Sequence, residues 1–376
     1  MKILIAGGGT GGHVFTGLAI VQELLSRKGQ HKVCFVGSPQ GIENKIIPKT
    51  GHPLKTIHVL GLKGMSWPQK MKGLFTLPRS FWDSLAILLR EKPDVILGVG
   101  GYASGPIILL GALLRIPTAI IEQNSIPGFA NRLLSYWVKK IFLAFDKTKK
   151  YFPRDKCLVT GNPVRKELFS QNGSKNQKNN QQNIKFHILV FGGSQGARRI
   201  DRAMQDTVPH LKDIQDEITI LHQSRGDGVS NLSKIYHNHG LDAKVVKFID
   251  DMKEAYEQAD LVVCRAGALS VSEIATLGKA AILVPYPFAA DNHQEENAKA
   301  LAEKNAAILL LDRELSGRKL SDTIHEYFYS KEKRQELTHN ILHFSSYRAA
   351  QTIVDSCLLL MGSGSEPGST FSQSNL

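Results

Sequence analysis

The opening stretch, MKILIAGGGTGGHVFTGLA, constrains the fold more than any other part of the chain. Residues 2–6 form a short apolar run of strand character. Gly7, Gly8, Gly9, Gly11 and Gly12 follow, and an apolar helical pattern begins behind them. Glycines let the backbone bend sharply and bring something large close to the main chain. His13 stands at the edge of this turn, at the helix start. The positive end of a helix dipole disfavours a protonated ring there, and a general base at neutral pH needs neutral imidazole. The plainer reading of His13 is a helix-start residue that hydrogen-bonds locally.

The same plan recurs along the chain. Strand-like runs occur at 2–6, 32–36, 56–60, 95–99, 118–121, 141–144 and 157–160, with helical patterns between them, for instance 16–28 and 79–91. This alternation predicts an α/β class with a parallel sheet covered on both faces, binding at the carboxyl ends of its strands. Residues 170–183, SQNGSKNQKNNQQN, are polar and of low complexity, and read as a flexible loop between domains. A fresh alternation then starts with 186–191, the turn Gly192-Gly193-Ser194-Gln195-Gly196 and a helix from Ala197. Further strands are expected at 218–222, 244–248, 261–264, 281–284 and 307–310, and one helix at 341–361. Two similar doubly wound domains facing across a cleft follow from this repetition, with a disordered tail after them.

The totals narrow the partners. A length of 376 residues suits two ordinary domains, and 42% hydrophobic with 22% charged residues is the balance of a soluble protein. A net charge of +13 favours nucleic acid, anionic lipid or a phosphate-rich substrate without choosing among them. The four cysteines, Cys34, Cys157, Cys264 and Cys357, form no CxxC pair, so a metal or redox motif is not expected and the setting reads as reducing and cytoplasmic. No secretory leader is expected, because the first apolar run breaks into glycines at once. Residues 95–114 are uncharged and long enough to span a bilayer, but Gly98, Gly100, Gly101, Gly105, Pro106 and Gly111 make strand, turn and helix the better description.

Several motifs carry chemistry. Gly7-x-Gly9-x-x-Gly12 fits the dinucleotide fingerprint, but the second strand ends Phe35-Val36-Gly37-Ser38 without the acid that would hold ribose hydroxyls, which argues against a nicotinamide cofactor. Gly98 to Pro106 forms a second glycine turn, and Glu122-Gln123-Asn124 ends the next strand, with Asn124 either facing the cleft or forming a turn. Arg165 in GNPVR can clamp phosphate or be a surface arginine. The turn from Gly192 to Ala197 offers amides and the Ser194 hydroxyl to an anion. Glu273, one turn into the helix after CRAGA, can accept two ribose hydroxyls or stabilise its own helix start. Asp291, His293, Gln294 and Asn297 gather donors and acceptors suited to a polyhydroxylated ligand. No Asp-x-Asp metal clamp occurs.

The segment 64–82, GMSWPQKMKGLFTLPRSFW, interleaves apolar and aromatic residues with Lys70, Lys72 and Arg79. Such a mixture suits a membrane surface, or a helix packed on its own domain with its lysines outward.

Taken together, GGGTGGHVFTGLA, GVGGYASGP, EQNSIPG, GNPVR, GGSQGAR, FIDDM and CRAGALSVSEIA resemble, in order and spacing, the blocks of the MurG family within glycosyltransferase family 28. The resemblance runs over residues 1–361, leaving out the Asn/Gln-rich loop and the tail. It implies an enzyme of GT-B fold, a hexosyltransferase that moves N-acetylglucosamine from UDP-GlcNAc to lipid I and makes lipid II for peptidoglycan. It also implies domains at 1–163 for the acceptor and membrane and 164–340 for UDP-GlcNAc, a helix at 341–361 returning to the first domain, and a tail at 362–376.

Carried over block by block, His13 and Asn124 lie on the acceptor side of the cleft; the attacking hydroxyl needs a base, and His13 is the expected one. Thr10, Gly11, Gly12, Arg165, Ser194, Ile249, Ala268, Leu269, Ser270, Glu273 and Gln294 complete the substrate-contacting set, and Glu273 takes the ribose hydroxyls. His293 departs from the paired glutamines of the family pattern. Trp67, Lys70, Met71, Lys72, Leu74, Phe75, Phe81 and Trp82 are expected to touch anionic inner-leaflet phospholipids at the cytoplasmic face of the inner membrane. Other cell-wall synthesis proteins are implied partners; nucleic acid, a metal and a cofactor are not. The alternatives are another GT-B transferase, a UDP-GlcNAc epimerase or a membrane-associated scaffold.

Overall fold

The computed structural model describes the backbone of residues 1–59, 67–168, 185–193, 196–226 and 228–362, and their side chains outside 67–76. The chain divides into two compact units. One holds Met1–Glu122, Pro127–Thr160 and the segment from Arg348; the other holds Gln123–Ile126 and Gly161–Tyr347. Gln123–Ile126 groups with the second unit rather than with the first, the change of unit falls after Thr160, and the segment from Arg348 groups with the first.

In the first unit the strands are β1 (Lys2–Gly7), β2 (Lys32–Gly37), β3 (Leu54–Thr56), β4 (Val95–Gly100), β5 (Thr118–Glu122), β6 (Lys140–Leu143) and β7 (Cys157–Val159). All pairs are parallel, in the order β3-β2-β1-β4-β5-β6-β7. The helices are α1 (Gly11–Leu25), α2 (Glu43–Ile46), α3 (Trp67–Glu91), α4 (Ser104–Leu113) and α5 (Phe129–Leu134). Ile3, Ile5, Leu97 and Ile121 face one core with Val14 and Val21 of α1, while Leu4, Ala6, Ile96 and Ile120 face the other with Ile107 and Ile108 of α4. Strands buried on both faces need continuous apolar runs, which is what these segments are. Each fully buried Ile or Leu contributes about 1.5–3 kcal/mol.

The second unit repeats the plan. Its strands are β8 (Phe186–Phe191), β9 (Ile218–Gln223), β10 (Asp242–Val246), β11 (Leu261–Cys264), β12 (Ala281–Leu283) and β13 (Ile308–Leu309), parallel in the order β10-β9-β8-β11-β12-β13. Its helices are α6 (Arg198–Thr207), α7 (Gly228–Asn238), α8 (Met252–Gln258), α9 (Ala268–Leu277), α10 (His293–Ala302), α11 (Gly317–Tyr329) and α12 (Lys331–Ile341). In each sheet the strand order reverses beside the first strand, between β1 and β4 and between β8 and β11. Such switch points are where ligands bind in open α/β sheets.

Several expected boundaries move. The strand expected at 56–60 ends at Thr56, because His58 is turned aside: its amide and its ring Nδ1 both engage Asp83 Oδ2, at 3.1 and 2.9 Å. The helix expected from Arg79 is the second half of α3, which continues through Pro78. Residues 95–114 divide into β4 and α4, and none of the described helices is long and apolar enough to cross a membrane. The strand expected at 244–248 ends at Val246, and Phe248 lies exposed.

The single helix expected at 341–361 is broken. A 3-10 turn (Leu342–Phe344) and an extended Ser345 separate α12 from α13 (Ala349–Gly362). Ser346 supplies the reason: its hydroxyl donates to Asn162 O at 2.7 Å and its amide reaches Thr276 Oγ1 at 3.4 Å, so both bond away from a helix. Helix α13 buries Ile353, Val354 and Cys357 against the α1 side of the first core, and Arg27 of the α1 C-terminal turn pairs with Asp355 at 3.0 Å. All four cysteines are free, and burial pushes the thiols of Cys34 and Cys357 up to about 11 and about 12.

Candidate active site

In the first unit two glycine turns meet at the switch point, where Gly8 N donates to Gly100 O at 3.2 Å. Helix α1 starts immediately beyond, with Thr10 as N-cap, and His13 is its third residue. His13 Nδ1 lies 2.9 Å from Gly8 O and 3.2 Å from Thr10 Oγ1. A carbonyl only accepts, so Nδ1 carries the hydrogen and Nε2 of the neutral ring carries the lone pair. The ring packs on Gly100, which has φ +99°; a Cβ there would lie 2.7 Å from Nε2, so only glycine admits it. Thr10 is exposed, Gly11 buried and Gly12 half-buried.

Sequence reasoning finds no acid at the end of β2, yet a carboxylate reaches that place. Glu43, the first residue of α2, is 1% exposed and accepts from Gly9 N at 2.8 Å, Ser38 N at 2.8 Å and Ser38 Oγ at 3.1 Å. It comes from the next helix rather than from the strand, so a motif that looks for an acid at the strand end misses it.

In the second unit the turn after β8 carries Gly193 and Gly196 with φ +78° and +71°; Ser194, expected to meet the diphosphate, lies outside the described residues. The neighbouring switch-point strand, β11, leads through Arg265-Ala266-Gly267 into α9. The N-cap Gly267 has no side chain to cap the helix and the first turn has no acid, so the amides around Ala268, Leu269 and Ser270 start the helix with its positive dipole end unneutralised by a carboxylate of that turn.

Glu273 follows, 5% exposed. Its Oε1 accepts from Arg165 at 3.3 Å and its Oε2 from the Tyr256 hydroxyl at 3.1 Å. Burial pushes its carboxyl above the usual range, opposed by the Arg165 charge and the two hydrogen bonds. Burial likewise pushes the Tyr256 phenol well up. Arg165, Glu273 and Tyr256 are thus brought together, and Tyr256 carries no local sequence signal. Ile249 is buried just ahead of Asp251, whose carboxylate caps α8 through Glu254 N at 2.9 Å.

Asn124 lies in the second unit, where its Oδ1 accepts from Asn297 Nδ2 at 3.1 Å. Asn297, fully buried, also donates to Ala266 O at 3.3 Å and accepts from Ser125 N at 2.9 Å, so it ties residues 123–126 to the β11–α9 turn. Gln294 Oε1 accepts from Tyr286 N at 3.0 Å, and His293 Nδ1 donates to Ala290 O at 2.6 Å. The departing histidine therefore bonds to its own turn, in which Asp291 and Asn292 both take left-handed φ of +53° and +54°. Among the described residues no group of three or more His, Cys, Asp or Glu could hold a metal ion.

The side chains of Trp67, Lys70, Met71, Lys72, Leu74 and Phe75 lie outside the described set, though their backbone is helical in α3. Phe81 is half-buried and Trp82 is 72% exposed. Sequence reasoning missed further exposed apolar residues: Leu113 at the end of α4, Phe129 and Leu133 in α5, and Tyr136 and Trp137 in the turn after α5, with exposed Arg115, Arg132 and Lys139 nearby in sequence.

The model of the glycosyltransferase family 28 N-terminal domain matches residues 3–143, and that of the family 28 C-terminal domain matches residues 187–353. A Myxococcus xanthus protein named UDP-N-acetylglucosamine–N-acetylmuramyl-(pentapeptide) pyrophosphoryl-undecaprenol N-acetylglucosamine transferase is 43% identical over 361 residues, covering 96% of this chain and 93% of its own. A Syntrophus aciditrophicus protein of the same name is 42% identical over 361 residues, covering 96% of this chain and 99% of its own. The crystal structure of Acinetobacter baumannii MurG matches with a TM-score of 0.77 at 30% identity, over 95% of this chain and 99% of that one. With two Rossmann-like parallel sheets and matches to both domain models, the chain belongs to glycosyltransferase family 28.

Proposed function

We propose that this chain transfers N-acetylglucosamine from UDP-GlcNAc to the 4-hydroxyl of the N-acetylmuramyl group of undecaprenyl-pyrophosphoryl-MurNAc-pentapeptide, giving lipid II. The observation that carries this is 43% identity, over nearly the full length, to a transferase of that name. The second unit takes the donor. Glu273, held by Arg165 and Tyr256, accepts the ribose hydroxyls, and Ile249 lies at the uracil. The α9 amides at Ala268, Leu269 and Ser270, with Ser194 and Arg165, meet the diphosphate, while Gln294 takes sugar hydroxyls. The first unit takes the acceptor, with its lipid diphosphate at Thr10, Gly11 and Gly12. Asn124, through Asn297, aligns the edge of the donor site.

The chemistry is a single in-line displacement with inversion. His13 Nε2 accepts the proton of the 4-hydroxyl as its oxygen forms a bond to the anomeric carbon. The bond from that carbon to the β-phosphate oxygen breaks, and UDP leaves with the electron pair. Helix-start amides and the Arg165 guanidinium stabilise the charge that develops on UDP.

Trp82, with Leu113, Phe129, Leu133, Tyr136 and Trp137 and the neighbouring Arg115, Arg132 and Lys139, supports contact of the first unit with anionic phospholipid, the reading also given to residues 67–82. We assign the enzyme to the cytoplasmic face of the inner membrane as a peripheral protein, beside other cell-wall synthesis proteins. The test is transfer of radiolabelled N-acetylglucosamine to a lipid I analogue, with and without EDTA. Label in the lipid that chelator does not affect supports the reading. Free 2-epimer, or no transfer, overturns it.

A further inference from the structure

Glu43 is a buried carboxylate that the reaction steps above do not use. Its side chain threads among three glycines from three segments: a Cβ on Gly8, Gly37 or Gly41 would stand 2.2, 2.5 or 2.0 Å from it. The most informative of its bonds is the one from Gly9 N at 2.8 Å. That N–H belongs to the same peptide unit as Gly8 C=O, the acceptor for His13 Nδ1 at 2.9 Å. A trans peptide is planar, so fixing the direction of its N–H fixes the direction of its C=O. A carboxylate on the N–H also polarises the carbonyl and makes it a stronger acceptor. The second Glu43 oxygen is anchored by the Ser38 amide and hydroxyl at 2.8 and 3.1 Å, which leaves the carboxylate no second orientation.

We propose that Glu43 is a positioning residue for His13, acting through the Gly8–Gly9 peptide to hold the ring with hydrogen on Nδ1 and the lone pair on Nε2. The arrangement is a carboxylate–histidine pair with one peptide unit inserted between the partners. Gly9 N–H, a donor of the kind that receives a diphosphate in glycine turns of this type, here faces an internal anion. The proposal rests on His13 as the general base.

The test uses full-length enzyme and the variants E43Q, S38A and H13A. Glutamine keeps the shape of the side chain but removes the charge and must turn an amide donor toward one of the N–H groups. Turnover of E43Q should fall about tenfold to a hundredfold while KM for UDP-GlcNAc stays within about twofold. The acid limb of its kcat–pH profile should move about half a unit lower, because an imidazolium loses its supporting carboxylate. Nitrogen-15 spectra of histidine-labelled protein, with His13 identified by its loss in H13A, should show one Nδ1–H tautomer in the parent and a mixture in E43Q.

A merely structural role would lower activity at every pH without moving the limb or the tautomer, and that result overturns the proposal, as does parent-like behaviour in all three readouts. Should E43Q fail to fold, S38A carries the test: a mixed tautomer supports the proposal and a single Nδ1–H tautomer overturns it. Near-normal turnover of H13A would remove the base assignment alone, and the tautomer readout would still decide what Glu43 does.

Discussion

Replacing Glu273 by glutamine should change binding and stability in opposite directions. Two ribose hydroxyls on one carboxylate make two charge-assisted bonds, each worth about 1.5–3 kcal/mol. Glutamine keeps one acceptor oxygen and loses the charge, so the net loss is about 2–3 kcal/mol, or roughly 30- to 150-fold in UDP-GlcNAc affinity. Stability follows the other sign. Burial raises the folded-state pKa of Glu273, so its contribution to stability is fully present below the unfolded value and is lost as pH rises through the folded one. Above its raised folded-state value the ionised, 5% exposed carboxylate therefore works against the fold. The ligand-free E273Q protein should melt at or above the parent temperature at neutral pH, and this advantage should vanish near pH 4, about the ordinary glutamate value. Calorimetric titration with UDP-GlcNAc, whose esterified diphosphate does not titrate in this range, should also show parent affinity falling as pH drops, starting above the usual carboxylate range. That acid limb should be missing in E273Q. Affinity of E273Q within about threefold of the parent would refute the ribose assignment. A lower melting temperature at neutral pH would refute the burial argument.

Three further outcomes are expected. His13→Ala should lower turnover about a hundredfold or more while calorimetry finds UDP-GlcNAc affinity unchanged, since general-base catalysis is lost and the donor side is untouched. The double variant Trp82→Ser/Phe129→Ser should lose about tenfold or more in co-sedimentation with anionic vesicles, yet keep turnover on a short-chain, soluble acceptor analogue. Ile353→Ala, at a fully buried position of α13, should destabilise the protein by about 2–4 kcal/mol in denaturant or thermal melts, because it leaves a cavity in the first core.

What could be read from the sequence, and what could not, divides along a physical line. Residues 2–6 or 261–264 declare themselves as strands because a strand buried on both faces must be apolar throughout. Glycine turns declare themselves because few other residues take a positive φ. Arg165 and Glu273 could be nominated one by one, each from its own motif. Tyr256 and Glu43 could not, and Asn297 could be nominated only as a ligand group, because their structural roles exist only once distant segments meet: Glu43 bonds to Gly9, and Asn297 to Asn124 and Ser125. The break before α13 was hidden for the same reason, since Ser346 bonds to Asn162 and Thr276 rather than to its own helix.

Both units run the same strand order around a switch point flanked by glycine turns, and both hold one buried carboxylate beside it, yet the two carboxylates face different partners. Glu43 is engaged by two main-chain amides and one hydroxyl that cannot move away without unmaking the turn. Glu273 is engaged by the ends of two side chains, Arg165 at 3.3 Å and Tyr256 at 3.1 Å. Side-chain donors can be exchanged for ligand hydroxyls at the expense of a rotamer change, whereas backbone donors cannot. The raised carboxyl pKa of Glu273 points the same way, because a carboxylate that its own protein satisfies incompletely gains most from added donors. One βα plan thus serves both units: in the roles proposed, the carboxylate of the first braces the backbone that carries His13, and that of the second takes a hydroxyl-bearing ligand.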